Sequence, residues 1–347
     1  MSLVPRDLSL FTRGSAAERK EVADALCRDL SRSGFVKLVN HGLTDKMVGE
    51  LFDWVRMTIP GGREQSLTGT QNKRFFRTPL EVKQRMAHEP GPSPQRGWSR
   101  LGAESSSKLY GKQFGQKDEQ ERSDAREHFD MGPVNDPNFP NKWPEEEALP
   151  GYRAFMESSF TEFQKISTAI LKALEVALEI PEGSFAGKVS NSASELRFNR
   201  YPAINIEEVR KGSVSRIWPH FDLGVITLLF QDQIGGLEME DRSKPGSAFI
   251  PIEATGQSEM IVNISETLQR WTNNCIRAGL HQVTLPPPLK GFSQGVIPER
   301  YSVAFFCKAD REASVGPLTS FISAKTPAAY DDMTAIEYQQ QRLLAAY

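Results

Sequence analysis

Leu196-Arg197-Phe198-Asn199-Arg200-Tyr201 is the stretch whose reading decides the fold. Leu196 and Phe198 fall on one face, and Arg197, Asn199 and Tyr201 on the other. A period of two marks a half-buried strand. Upstream the period is helical. Phe155, Phe163, Ile166, Ile170, Leu174 and Leu178 predict one long helix over about 152–179, lying as a spine along the back of a sheet with its aromatic residues in the core. Pro181 separates the two regimes. Downstream, residues 225–230, 237–239, 249–252, 260–264, 281–285 and 301–308 are further strands, with turn signals at Gly235-Gly236 and Lys244-Pro245-Gly246. Roughly seven short strands without helices between them argue for an antiparallel sandwich or jelly roll.

The N-terminal region is helical. Ser15-Ala16-Ala17-Glu18 has the form of a capping box, Val22, Leu26 and Leu30 make an apolar stripe, and Gly34 closes the helix. Residues 35–39 read as a short strand, Asn40-His41-Gly42 as a turn, and Thr44 as the cap of a helix through Val55. Beside Gly42, His41 reads as a hydrogen-bonding turn residue. Pro60-Gly61-Gly62, Pro90-Gly91-Pro92 and Pro133 break the next stretch into short pieces. Within it, residues 104–126 are strongly polar and read as a mobile loop or a solvated helix.

These patterns divide the chain into an N-terminal region (1–125), a linking segment with the spine helix (126–190), a jelly-roll core (191–312) and a C-terminal helical extension (313–347). The expected class is mainly β with flanking helices. A chain of 347 residues, 39% hydrophobic and 25% charged, has the composition of a globular protein. Its net charge of -2 gives no basic surface for nucleic acid or anionic lipid. There is no apolar run long enough for a membrane span and no apolar signal core near Met1. Cys27, Cys275 and Cys307 form no close pair, so each is expected as a small buried residue in a cytoplasmic, reducing setting. Nothing points to an obligate protein partner.

The chemistry lies in His220-Phe221-Asp222 and the later His281. In an extended segment the side chains of His220 and Asp222 project from the same face. With an imidazole from a distant strand they make a facial set for iron(II), leaving three positions open. Arg300-Tyr301-Ser302 follows. A guanidinium there can grip a carboxylate in a two-pronged pair, and Ser302 points to the same side.

In order and spacing these motifs resemble the isopenicillin N synthase-like, 2-oxoglutarate-dependent non-haem iron oxygenases. The resemblance also rests on Gly34-Phe35-Val36-Lys37-Leu38-Val39-Asn40-His41-Gly42, Arg96-Gly97-Trp98-Ser99, Glu127-His128-Phe129-Asp130, Leu196 to Pro202 and Leu268-Gln269-Arg270-Trp271-Thr272-Asn273-Asn274. It implies a double-stranded β-helix (jelly-roll) core, Fe(II) on His220, Asp222 and His281, and O2 and 2-oxoglutarate as co-substrates. It further implies that Arg300 and Ser302 hold the distal carboxylate of 2-oxoglutarate, with Asn199 and Tyr201 bordering it. Two positions depart from the family's common pattern: Ser265-Glu266 in place of Gly-Asp, and His281-Gln282 in place of His-Arg.

The implied reaction is oxidation of an unactivated C–H bond of a small molecule: hydroxylation, or desaturation, ring closure or ring expansion if the substrate radical is diverted. Alternation from Arg300 puts Phe306 and Lys308 on the same face, where Phe306 would stack on a flat substrate and Lys308 would pair with an acid or phenolate. The competing readings are core packing for Phe306 and a solvent-facing strand end for Lys308. Arg197 is read as structural first and substrate-facing second. Trp98 and Arg96 are placed over the pocket by motif position alone. The style resembles fungal specialised metabolism, with an aromatic or polyketide-derived substrate first and an amino acid or alkaloid precursor second. The alternatives are an iron oxidase of the same family that does without 2-oxoglutarate, and a binding protein that kept the fold.

Overall fold

Twelve strands carry the architecture: β1 (Pro5–Asp7), β2 (Phe35–Val39), β3 (Gly97–Ser99), β4 (Glu127–Met131), β5 (Glu195–Tyr201), β6 (Ile217–His220), β7 (Ile226–Gln231), β8 (Leu237–Glu240), β9 (Phe249–Pro251), β10 (Met260–Ile264), β11 (His281–Val283) and β12 (Arg300–Cys307). The computed structural model describes residues 3–55, 75–110, 122–190, 193–244, 248–256 and 258–344. The Pro60-Gly61-Gly62 break, the Pro245-Gly246 turn and residues 111–121 of the polar stretch lie outside the described residues. An eight-stranded sheet runs β1-β2-β10-β7-β12-β5-β4-β3, and a four-stranded sheet runs β9-β8-β11-β6. Pairing is antiparallel within both, except that β1 lies parallel to β2.

Alternation sets the two faces of the large sheet. On β5, Leu196 and Phe198 join the larger core, and on β12 so do Tyr301, Val303, Phe305 and Cys307. That core is closed by the helices Ala16–Ser33, Asp45–Val55 and Tyr152–Leu178. The long helix is the expected spine: Phe163 stacks on Phe305 at 5.4 Å, and Phe160 meets the same ring edge-on at 5.2 Å. A buried Phe contributes about 1.5–3 kcal/mol by leaving water. The opposite face looks toward the small sheet. There Phe35, Tyr201, Ile217, Leu237, Met239, Ile261 and Val283 make a second, smaller core.

Local chemistry fixes the element ends. The Ser15 hydroxyl accepts from the Glu18 amide and the Glu18 carboxylate accepts from the Ser15 amide, so both halves of the capping box form. Gly34 takes the left-handed conformation at φ 80°, and a Cβ there would come within 2.7 Å of Gly279 Cα. Thr44 Oγ1 accepts from Met47 N at the start of Asp45–Val55. His41 is a turn residue, its Nε2 at 2.9 Å from the Ser258 carbonyl.

Several features differ from the sequence reading. β3, β4 and β6 were not expected as strands: β3 is too short for a period, β4 is a run of buried residues without alternation, and β6 contains Pro219. The small sheet supplies the proline with an edge, where no amide is required. Only Cys307 is buried; Cys27 is half-buried and Cys275 is exposed, in the turn that follows Asn273 and Asn274, both in left-handed conformations. Among the described residues no helix is long and apolar enough to cross a membrane.

Candidate active site

The small sheet sets His220 and His281 side by side. They are direct cross-strand partners on β6 and β11, with ring centroids 4.2 Å apart. Asp222 lies just past the end of β6, in the loop before β7, rather than on an extended segment as expected. That loop still returns its carboxylate to the pair, with Oδ1 at 3.8 Å from His220 Nε2 and 3.9 Å from His281 Nε2. One ligand atom from each of the three lies within 4.8 Å of the others.

Hydrogen bonds orient all three side chains. His220 Nδ1 is 2.8 Å from the Trp218 carbonyl and His281 Nδ1 is 3.0 Å from the Gly279 carbonyl. A carbonyl only accepts, so each Nδ1 carries the proton and each Nε2 keeps its lone pair for the centre. Asp222 Oδ2 accepts from Thr227 Oγ1 at 2.7 Å and from Asn263 Nδ2 at 2.8 Å, leaving Oδ1 for the centre. Thr227 and Asn263 are themselves cross-strand partners on β7 and β10. Burial, with the neighbouring His281, pushes His220 down to about 3. Burial works to raise the Asp222 carboxyl, but His281, His220 and the two hydrogen bonds outweigh it and hold it below its ordinary value. Neutral imidazoles and an ionised carboxylate are the forms that bind a divalent metal. The donor set therefore fits iron(II).

The same cavity is lined by Asn199, Tyr201, Arg300, Ser302, Ala304 and Phe306. Arg300 opposes Tyr201 across β12 and β5, and Ser302 opposes Asn199. Ser302 Oγ accepts from Asn199 Nδ2 at 3.3 Å and lies 3.5 Å from the Tyr201 hydroxyl. Arg300 is 1% exposed, with its guanidinium 4.7 Å from the Tyr201 ring centre. It donates to Gln231 at 3.0 Å, but its Nε and Nη1 are buried without a partner among the described residues. A buried cation with unused donors is costly unless an anion reaches it. A carboxylate at this end of the cavity fits that need.

The remaining expected residues separate. Phe306 lines the cavity, yet the Arg197 guanidinium stands 5.3 Å from its ring centre, so one face is covered. Arg197 is buried and bonded to Asp130 at 2.7 Å and to Gln95, a structural ion cluster. Lys308 neither lines the cavity nor reaches solvent: its ammonium pairs with Glu195, which opposes Phe306 across β5 and β12. Trp98 does not cover the cavity. It packs in the larger core, with Nε1 donating to Glu127 at 2.9 Å and Lys83 over its ring. Arg96 likewise holds Glu195 and Asp136. Motif position suggested a loop closing over the pocket; instead Trp98 lies on β3 and Arg96 just before it, both turned away from the cavity.

Sequence reasoning missed Thr227, Asn263, Gln231 and Arg126. The first three sit on strands whose alternation was legible, one residue in two facing inward, and that signal could have found them. Arg126 sits in an irregular segment and had no such signal. The departures at Ser265-Glu266 and Gln282 leave the three central side chains untouched. Glu266 N donates to the Asp222 carbonyl at 2.8 Å, and Gln282 donates to Glu238.

The profile of the 2OG-Fe(II) oxygenase superfamily matches residues 193–309, and that of the non-haem dioxygenase in morphine synthesis N-terminal region matches residues 66–146. The chain is 48% identical over 98% of its length to a Penicillium fellutanum protein named 2-oxoglutarate-dependent dioxygenase phqC, covering 94% of that protein. It is 38% identical to a Petromyces alliaceus protein named proline hydroxylase buaE, covering 98% of each chain. Among solved structures, a full-length Neurospora crassa protein crystallised in complex with alpha-KG and thymine superposes with a TM-score of 0.80 at 27% identity, covering 99% of this chain and 97% of that one.

Proposed function

The chain belongs to the 2OG-Fe(II) oxygenase superfamily, and on that premise we propose that His220, Asp222 and His281 hold its iron(II) while Arg300 and Ser302 hold the distal carboxylate of 2-oxoglutarate. It is a 2-oxoglutarate-dependent dioxygenase with Fe(II), 2-oxoglutarate and O2 as its working set. When bound, iron and 2-oxoglutarate supply an oxidant able to place one oxygen atom of O2 into an unactivated C–H bond, with succinate and CO2 as the co-products.

The residues' own tasks follow from their contacts. The Trp218 and Gly279 carbonyls hold both imidazoles in the tautomer that presents Nε2. Thr227 and Asn263 hold Asp222 so that a single oxygen faces the metal. Arg300 with Ser302 fixes the far end of 2-oxoglutarate, and so the direction from which its keto acid end approaches. Tyr201 and Phe35 close the apolar wall that keeps water out. The observation that carries this reading is the Arg300 guanidinium, buried and half-unpartnered in the cavity of the His220, Asp222 and His281 cluster.

For the substrate, the second of the two sequence readings is the stronger. Arg197 covers one face of Phe306, which weakens the case for a flat aromatic guest. A relative named proline hydroxylase, aligned end to end, supports a free amino acid. Fungal relatives support a role in specialised metabolism. The reaction is then hydroxylation of a small amino acid. The test is succinate formation from 2-oxoglutarate across a panel of free L-amino acids. One or more should accelerate it and gain a hydroxyl group; oxidation at full rate without 2-oxoglutarate would overturn the reading.

A further inference from the structure

The cavity has a second cation, which neither metal binding nor the Arg300 end employs. Arg126 lines the same cavity as His220, Asp222, His281 and Arg300, and is 8% exposed. Its Nη2 donates to Glu104 at 2.8 Å, and Asp124 stands 4.0 Å away. Its Nε and Nη1 make no hydrogen bond to a described residue. A guanidinium carries five N–H donors in a fixed fork. Most of that capacity therefore remains for something that enters the cavity.

We propose that Arg126 is the anchor for a carboxylate on the substrate, and so sets the selectivity of the enzyme for acids over neutral compounds. The proposal rests on the reading of the site given above, because there Arg300 is committed to 2-oxoglutarate and Arg126 is left for the other guest. The two guanidiniums enter from different parts of the fold. Arg300 comes from the middle of the large sheet. Arg126 follows Ser123–Asp124, a short strand that lies parallel to Val214–Ser215 just before β6.

The backbone around Arg126 is tied down as an anchor requires. Its amide donates to the Asp124 carbonyl at 2.8 Å and its carbonyl accepts from Gly102 at 3.3 Å. Ala125 donates to the Ser215 carbonyl at 2.7 Å, and the Trp218 indole donates to the Ser123 carbonyl at 3.1 Å. Trp218 also supplies the carbonyl that orients His220. One residue, through its carbonyl and its indole, thus couples the metal ligand to the segment bearing Arg126, giving the carboxylate a fixed offset from the oxidising centre. Glu104 orients the fork without consuming it, since the bond between them engages Nη2 alone.

The experiment compares acids with their amides. Protein loaded with Fe(II) and 2-oxoglutarate under anaerobic conditions is titrated calorimetrically with free L-amino acids and small aryl carboxylic acids, each beside its carboxamide. Wild type should bind at least one acid roughly ten- to a hundredfold more tightly than its amide, the range of a charge-assisted pair. Arg126→Gln should abolish that preference, Arg126→Lys should keep part of it, and both should bind 2-oxoglutarate as wild type does. Retained binding of 2-oxoglutarate also shows that the variants are folded. The proposal falls if no acid binds wild type, if amides bind as well as acids, or if Arg126→Gln keeps the wild-type ratio. It falls too if that variant loses 2-oxoglutarate instead. Failure of wild type itself to bind 2-oxoglutarate would instead strike at the reading of Arg300.

Discussion

Thr227 and Asn263 are cross-strand partners, and both donate to the same oxygen of Asp222. The carboxylate is thereby turned so that its other oxygen faces the two imidazoles. Removing one donor should loosen the metal without unfolding the protein. For Thr227→Val we expect iron(II) affinity to fall by roughly 10–100-fold, the usual cost of losing a partner behind a metal ligand. Metal titration with a competing chelator checks this, and an unchanged affinity would refute the orienting role.

Arg300 carries a buried charge with two unused nitrogens. A buried cation with no anion beside it costs the ligand-free fold its desolvation, and an apolar side chain of similar length removes that cost. Arg300→Met should therefore melt no lower than wild type in the absence of ligand. Wild type at a hundredfold excess of 2-oxoglutarate over its dissociation constant should gain about 2.7 kcal/mol, and the variant almost nothing. Thermal melts with and without 2-oxoglutarate decide the matter. Equal ligand-induced shifts in the two proteins would count against the assignment.

Burial raises the Asp124 carboxyl from 3.8 to about 6, despite hydrogen bonds from Ser106 and the Arg126 charge. The folded state therefore binds this proton more tightly than the unfolded chain does. The resulting stability is fully present below 3.8 and is lost as pH rises through about 6. Between those values the stability advantage of wild type over Asp124→Asn should shrink with rising pH. Urea midpoints at pH 4, 5 and 6 read this directly, and parallel curves would contradict it.

Gly279 packs against β2, and a Cβ there would come within 2.5 Å of the Phe35 ring and 3.0 Å of the Gly34 carbonyl. Its own carbonyl orients His281. Gly279→Ala should cost about 1–3 kcal/mol from overpacking. The displaced carbonyl should weaken metal binding beyond what the stability loss explains. Chelator titration below the melting range separates the two effects.

Phe163 is fully buried between Phe305 and Phe230. Phe163→Ala should destabilise by about 3–5 kcal/mol, since the cavity it leaves is on the far side of the sheet from the site. Denaturant unfolding gives the loss. 2-Oxoglutarate affinity at low temperature should stay near wild type.

What could be read from the sequence was what local periodicity encodes. Leu196 and Phe198 went to one face and Asn199 and Tyr201 to the other, as alternation requires. The Ser15 and Glu18 pair capped the helix it announced, because both partners lie within one turn. The cluster of His220, Asp222 and His281 was legible through residue type and order. What escaped depended on distant partners. β6 has no alternation that survives Pro219, and it exists because β11 pairs with it. Lys308 kept the parity expected for an inward residue, but Glu195 captured its charge. Trp98 looked like a lid until Glu127 and Lys83 fixed it in the opposite layer. Arg126 acquires its place through Ser123–Asp124 and Val214–Ser215, residues far apart in the chain.

β2 pairs with β10 from Met260 opposite Leu38 to Asn263 opposite Phe35, and the Phe35 ring meets His281 edge-on at 5.8 Å. The first forty residues are thus stitched into the same fabric as the residues that do the chemistry. A shortened version beginning near residue 191 would leave one side of β10 bare, a raw border ready to zip onto other molecules. Anyone seeking a minimal catalyst should expect precipitate from that cut, and should trim elsewhere.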